Sequence, residues 1–122
     1  MSIIFTPGET NIICTQLVRS LRFYQDVLGF AITEHEGPAA VHMSCGGRPF
    51  LLLAVAKSPL VERVYCETPS VSFDLVVSDI GEAVSYFHHH GVAFESPWQK
   101  GESYVFIKDP DGLVIEVIQE QG

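Results

Sequence analysis

The first half of the chain passes from a strand pattern to a helix pattern and back. Residues 10–14 are rich in β-favouring side chains and predict a strand. From Leu17 to Leu28, apolar side chains recur every three or four residues, which predicts a helix with one buried face. Gly29 follows as the residue expected to end that helix. Three short strands are then predicted, separated by Gly-Pro and Gly-Gly pairs, at residues 30–34, 40–44 and 49–55.

The second half repeats this order of elements. Residues 71–77 predict a strand, and Asp79 is placed to cap the helix that follows, with Glu82 three residues later as in a capping box. Gly91 is expected to end this helix. Three more strands are predicted at residues 92–95, 103–107 and 113–119.

The two halves form an internal repeat. Three apolar helix positions return at a constant offset of 63 residues, so that Leu17, Leu21 and Tyr24 correspond to Ile80, Val84 and Phe87. We therefore predict one α+β domain built from two βαβββ units, at residues 8–57 and 71–121, with residues 58–70 as a linker. A unit of this size cannot cover both faces of its sheet, so we expect the units to pack together or with another chain.

A tight turn followed by a strand closes the chain. Pro110 fixes its own φ angle, Asp109 can bond to the backbone ahead of it, and Gly112 tolerates a positive φ. The strand from Leu113 to Ile118 is interrupted by Glu116. A carboxylate in mid-strand is costly unless that face of the sheet is wet, paired or binds a metal. Glu116 therefore marks a candidate site.

Composition excludes several classes of partner. With 122 residues and a formal net charge of −8, the chain is not expected to bind nucleic acid or an anionic membrane. No apolar run reaches membrane-spanning length, and the first residues lack a basic region and a long apolar core. The three cysteines, Cys14, Cys45 and Cys66, have no CxxC spacing and are interpreted as reduced. We therefore predict a cytoplasmic protein.

Two segments resemble the vicinal oxygen chelate superfamily, which includes glyoxalase I, fosfomycin-resistance proteins, extradiol dioxygenases and bleomycin-resistance proteins. Residues 20–30, SLRFYQDVLGF, are similar to its helix-end motif, and residues 109–116, DPDGLVIE, are similar to its last-strand motif. The resemblance covers almost the whole chain. It implies the glyoxalase/bleomycin-resistance fold, in which two units form cupped mixed sheets around a pocket, and it implies a homodimer.

The resemblance also implies a divalent-metal site, from which this sequence departs. Metal-dependent members take His, Gln or Glu ligands from the first and last strands of each unit. Glu116 matches the ligand carboxylate of the second unit, and Glu9 stands at the first-strand position of the first unit. The remaining two positions hold Ser72 and the leucines of residues 50–53. Serine is a poor ligand for such a metal and leucine is none, so we expect no metal cofactor.

Strand alternation assigns side chains to the predicted pocket. The residues expected on the sheet faces away from the helices are Asn11, His42, Asp74, Tyr104, Phe106 and Glu116. Trp98, in the loop before Ser103, is expected to form a rim or lid. Aromatic rings beside carboxylates favour a small aromatic or cationic ligand. We therefore predict a metal-free small-molecule binding protein and assign no catalytic residue.

Two other functions stay open. A divalent-metal lyase, isomerase or thiol transferase would use Glu116, Glu9 and His42, with Mn, Ni or Zn as the Lewis acid. A non-catalytic dimer would only present a surface, with Tyr104 and Phe106 packed at the interface. The run from His88 to His90 is not expected to bind a metal, because consecutive helical residues point about 100° apart.

Overall fold

The computed structural model of this protein describes residues 2–59, 67 and 69–121. The chain divides into two compact units, Met1–Ser58 and Pro59–Gly122. The predicted linker at 58–70 falls partly on residues 60–66 and 68, and these lie outside the described residues, as does Cys66. No helix in the described part of the chain is long and apolar enough to cross a membrane.

Unit 1 contains four strands and one helical segment. Its sheet has the order β1-β4-β3-β2, with β1 parallel to β4 and the other pairs antiparallel. Helix α1 leads directly into a π-helical turn. The elements are β1 Thr10–Cys14, α1 Leu17–Leu21, the π-helical turn Arg22–Val27, β2 Ala31–Glu36, β3 Ala40–Cys45 and β4 Arg48–Ala54.

Unit 2 repeats this topology, which confirms the predicted α+β fold of two βαβββ units. Its sheet has the order β5-β8-β7-β6, again with the first and last strands parallel. The elements are β5 Asp74–Val77, α2 Ile80–His89, β6 Ala93–Phe94, β7 Tyr104–Lys108 and β8 Val114–Gln119. The strand predicted from residue 71 begins only at Asp74, because pairing with β8 starts there.

Each sheet has one buried face and one open face, and we use "open face" for the side that carries the more exposed residues. In β1, Ile12 and Cys14 are buried, whereas Asn11 and Ile13 are exposed. In β8, Ile115 and Val117 are both 0% exposed. Helix α2 packs against β7 and β8, and α1 packs against β4. The period of two along each strand therefore assigns every residue either to the core or to the open face.

The predicted helix of unit 1 is correct in extent but its second half is π-helical. The Leu28 N–H donates to the Phe23 carbonyl at 3.0 Å, five residues back instead of four. Phe23 and Tyr24 are both buried although they are neighbours in sequence. Their rings start an aromatic chain with centroid spacings of 5.1, 5.4 and 4.8 Å that continues through Phe30 to Phe50. Gly29, at φ +77°, ends the segment in the left-handed region.

Local capping fixes the start of β8 and of α2. The Asp109 carboxylate accepts from the backbone N–H groups of Asp111 and Leu113, both at 2.9 Å, and Gly112 has φ +92°. The Asp79 carboxylate accepts from the Glu82 N–H at 3.0 Å, and the side-chain oxygen of Gln119 accepts from the Ile80 N–H. The turn and the helix cap therefore lie where the sequence predicts them.

Candidate functional site

Two carboxyl groups meet on the open face of unit 2. Asp74 in β5 and Glu116 in β8 are direct partners in the parallel register. Asp74 is exposed and Glu116 is half-buried. Burial raises the pKa of Glu116, and the charge of Asp74 and a hydrogen bond between the two side chains raise it further. Each of these effects disfavours a negative charge on Glu116 beside Asp74.

Two aromatic rings lie on the same face, along β7. Phe106 is the antiparallel partner of Glu116, and Tyr104 is the partner of Ile118. The Tyr104 and Phe106 rings contact each other edge to face, with centroids 5.7 Å apart. A hydrogen bond to the Glu102 carboxylate is the main reason that the pKa of Tyr104 is raised. Carboxyl groups and ring faces are therefore neighbours on one surface.

Trp98 contacts the start of α2. Its indole N–H donates to the Glu102 carbonyl at 3.0 Å, and its ring lies beside Gly81 in the first turn of the helix. The side chain is half-buried. These contacts make Trp98 part of the packing between its own loop and α2, and its role as a rim or lid stays a prediction.

Unit 1 places different residues at the equivalent sheet positions. In the sheet of unit 1, Leu51 pairs with Asn11 on one side and with His42 on the other. In the sheet of unit 2, Glu116 pairs in the same way with Asp74 and with Phe106. Asn11 is exposed and His42 is half-buried on the open face of this unit. Leu51 therefore occupies the position that Glu116 holds in unit 2, and unit 1 has no carboxyl pair there.

His42 is held between two carboxylates. Its Nδ1 lies 2.6 Å from Glu9 Oε2 and its Nε2 lies 3.0 Å from Glu36 Oε2. The hydrogen bond to Glu9 is the largest cause of a raised His42 pKa, followed by the bond to Glu36. Only the imidazolium form can donate from both nitrogens. A His42 bonded in this way has no lone pair left to bind a metal or to accept a proton from a ligand.

The side chains do not fit the metal centre that the resemblance implies. Among residues 2–59, 67 and 69–121, no three His, Cys, Asp or Glu side chains are grouped so that they could hold a metal ion. Glu9 is engaged by His42, and Leu51 stands where a carboxylate would be needed. Ser72, which is exposed and precedes β5, offers only a weak oxygen donor.

The histidine run at the end of α2 makes ring contacts instead of forming a cluster. His88 stacks on Phe94 with centroids 4.6 Å apart, and His90 lies 4.3 Å from Tyr86. All three histidines are exposed. They lie in the last turn and at the C-cap of the helix, where imidazolium groups are favoured by the helix dipole.

Glu36 and Glu102 were not predicted from the sequence. Glu36 lies at the end of β2 and reaches His42 because β2 and β3 are antiparallel neighbours. Glu102 precedes β7 by two residues and interacts with Tyr104, while its side chain also accepts from the Gln99 N–H at 2.9 Å. For Glu102, the i, i+2 spacing from Tyr104 was the one available signal, since residues two apart along a strand share a face.

The fold defines a class of proteins in which one βαβββ module is duplicated, each copy with a helix-covered face and an open face. The sequence profile of the Glyoxalase/Bleomycin resistance protein/Dioxygenase superfamily matches residues 6–117. The chain belongs to this superfamily, which confirms the resemblance to vicinal oxygen chelate proteins.

Known proteins agree with this assignment. Catechol-2,3-dioxygenase of Bacillus subtilis (strain 168) is 26% identical over 117 residues, which covers 93% of this chain and 41% of the dioxygenase. The chain thus spans about two fifths of the length of that relative.

Solved structures show the same fold. Lactoylglutathione lyase from Agrobacterium tumefaciens superposes with a TM-score of 0.68 at 22% identity, covering 93% of this chain and 92% of the lyase. Fosfomycin resistance protein FosX from Listeria monocytogenes superposes with a TM-score of 0.73 at 18% identity, covering 98% of this chain and 94% of FosX. At these identities the likeness establishes the architecture.

The His42 bridge predicts an order of effects in a titration. We expect nuclear magnetic resonance of the His42 ring to give a pKa above 6.5. Glu9→Gln should lower this pKa more than Glu36→Gln, because the Glu9 hydrogen bond contributes most. Glu34→Gln, at the β2 position paired with His42, is the matched control. An equal drop in all three variants would indicate general charge attraction and contradict the bridge.

The Glu116 pair predicts a pH-dependent stability. Because the folded-state pKa of Glu116 lies above its usual value of 4.5, the folded chain binds this proton more tightly than the unfolded chain. The stabilisation is present at acid pH and is lost as the pH rises from 4.5 through the folded pKa. We expect Glu116→Gln to be more stable than wild type at neutral pH, with the difference vanishing at acid pH.

Urea unfolding at a series of pH values measures this difference. Glu120→Gln, which changes an exposed carboxylate just after β8, is the control. A gain in Glu116→Gln that is the same at every pH would show that packing, and not the titration of Glu116, is responsible.

Proposed function

We propose that this protein binds a small aromatic or cationic molecule on the open face of unit 2 without a metal. The observation that carries the proposal is the carboxyl pair of Asp74 and Glu116 with Phe106 in register beside it. An organic cation can bond to both carboxylates and offset their charge. Its ring or methylene groups can pack on Phe106 and Tyr104. Such capture of a ligand is also what the resemblance to bleomycin-resistance proteins implies.

The donor set supports the metal-free form of this proposal. Hard divalent ions are usually held by several oxygen ligands, and borderline ions by His, Cys and carboxylates. The carboxyl pair supplies two oxygen-bearing groups, while Ser72 and Leu51 stand where the resemblance calls for further ligands. An organic cation needs no such set, because its own N–H groups donate to the carboxylates.

A divalent-metal lyase, isomerase or thiol transferase is the second candidate. It is favoured by the match of Glu116 to the ligand carboxylate of the superfamily and by the likeness to a lactoylglutathione lyase and a fosfomycin resistance protein. In that case Glu116 would hold the ion, and the ion would polarise a substrate oxygen. Glu9 would have to leave His42 to contribute.

Isothermal titration of benzamidine, a small aromatic cation, tests the first proposal. We expect Glu116→Gln to weaken binding by roughly tenfold or more, because a charged hydrogen bond contributes about 1.5–3 kcal/mol. Phe106→Leu should weaken it less, and Glu120→Gln should leave it unchanged. Benzyl alcohol, the neutral counterpart, should bind more weakly than benzamidine to the wild type. Equal binding of the alcohol and the cation would contradict the role of the carboxyl pair.

Titration of Mn²⁺, Ni²⁺ and Zn²⁺ into the same protein separates the two candidates. Near-stoichiometric binding that Glu116→Ala abolishes would overturn the metal-free proposal and favour the metal enzyme. Binding no tighter than millimolar would support the first proposal.

We also propose that the protein is a homodimer in the cytosol. Ile13 and Val76 are 50% and 64% exposed on the two open faces, and a second chain would remove such apolar side chains from water. Cys45 is a free cysteine, which suits a reducing compartment. Light scattering of the purified protein measures its mass, and cell fractionation its location. A monomer at micromolar concentration would contradict the dimer.

A further inference from the structure

A shallow cavity that is open to solvent, with a volume of about 480 Å³, lies along the helical segment of unit 1. Arg19 and Arg22 line it together with Gln16, and all three side chains are exposed. Val18 and Val27 add apolar wall. The volume lies within the range of about 300–1,000 Å³ that is typical of small-molecule sites. The lining residues all belong to unit 1, so a site here does not depend on the function proposed for unit 2.

The two arginines stand three residues apart, on neighbouring helical positions. Like charges at this spacing destabilise a helix by a few tenths of a kcal/mol, and a bound anion would reverse the sign of that interaction. The Arg19 guanidinium also donates to Thr15 Oγ1 at 2.9 Å, which fixes its direction beside the cavity. The lining carries two arginines and one carboxylate, Asp26, so it is positive by one charge in a chain whose formal net charge is −8.

The π-helical turn contributes to the shape of the cavity. Four of its residues, Arg22, Phe23, Asp26 and Val27, line the wall. π-Helical segments are rare and often occur at functional sites, because the wider turn changes where side chains point. The Asp26 carboxylate repels an anionic group at its end of the cavity. A ligand would therefore carry a single anionic group, and that group would lie near the arginines.

We propose that this cavity binds a small organic anion, a carboxylate or phosphate monoester with a short apolar body. The fork of each guanidinium matches the oxygens of such a group, and two forks can share one anion. Val18 and Val27 take the apolar body. The amide of Gln16 supplies a further donor at the cavity wall.

Binding of benzoate and phenyl phosphate, followed by amide chemical shifts and isothermal titration, tests this proposal. We expect saturable shifts confined to residues 16–27. Arg22→Ala should weaken binding by about tenfold or more, as the loss of a charge-assisted pair implies. The affinity of Arg22→Lys should lie between those of the wild type and Arg22→Ala, because lysine keeps the positive charge but lacks the forked guanidinium. Comparison of the two probes shows which anionic group the cavity prefers.

Arg48→Ala is the matched control, since Arg48 is an exposed arginine of the same unit at the start of β4, outside the cavity lining. Equal weakening by Arg48→Ala would attribute binding to net charge and overturn the site. Benzyl alcohol that binds as tightly as the anionic probes would also overturn the site. So would the absence of chemical-shift changes at residues 16–27 with probe at 10 mM, which is roughly the weakest affinity that would count as a site. Circular dichroism of each variant confirms that the helix is retained, so that a loss of binding reports on the side chain.

Discussion

Each four-stranded sheet of this protein is covered on one side by a single helical segment, and most of the structure follows from that constraint. The covered face excludes water, so its positions must be apolar, as Val41 and Leu52 are in unit 1 and Ile115 and Val117 are in unit 2. The open face stays accessible and can hold polar groups at low cost. Because successive side chains of a strand point to opposite faces, a single polar residue between two core residues lies on the open face. Glu116, between Ile115 and Val117, is such a residue.

Duplication has kept the register and changed the chemistry. The same three sheet positions carry Asn11, Leu51 and His42 in unit 1 and Asp74, Glu116 and Phe106 in unit 2. In unit 1, the charge of the imidazole is met within the protein by Glu9 and Glu36. In unit 2, two carboxyl groups face each other, and burial together with the charge of Asp74 raises the pKa of Glu116. The cation site that we propose therefore lies in unit 2, where two carboxyl groups meet, and not in unit 1, where His42 already bonds to two carboxylates.

Two of the positive charges of unit 1 lie on a different surface. Arg19 and Arg22 stand on the helical side, at a cavity shaped in part by the π-helical turn. The same turn allows Phe23 and Tyr24 to be buried as neighbours, and their rings pack on toward Phe30 and Phe50. The π-helical turn therefore contributes residues both to the core and to the lining of the cavity.

The sequence by itself determined the features that depend on local interactions. The Asp109 turn, the Asp79 cap, the left-handed Gly29 and the assignment of Glu116 to the open face all rest on contacts or angles within about five residues. Only the tertiary structure decided which side chains meet. Glu36 reaches His42 through strand pairing, Trp98 contacts the first turn of α2, and Leu51 stands opposite His42, because register and loop path depend on the whole sheet. The π-helical turn belongs with these, since its apolar spacing also suits an α-helix and packing of two adjacent rings selected the wider turn.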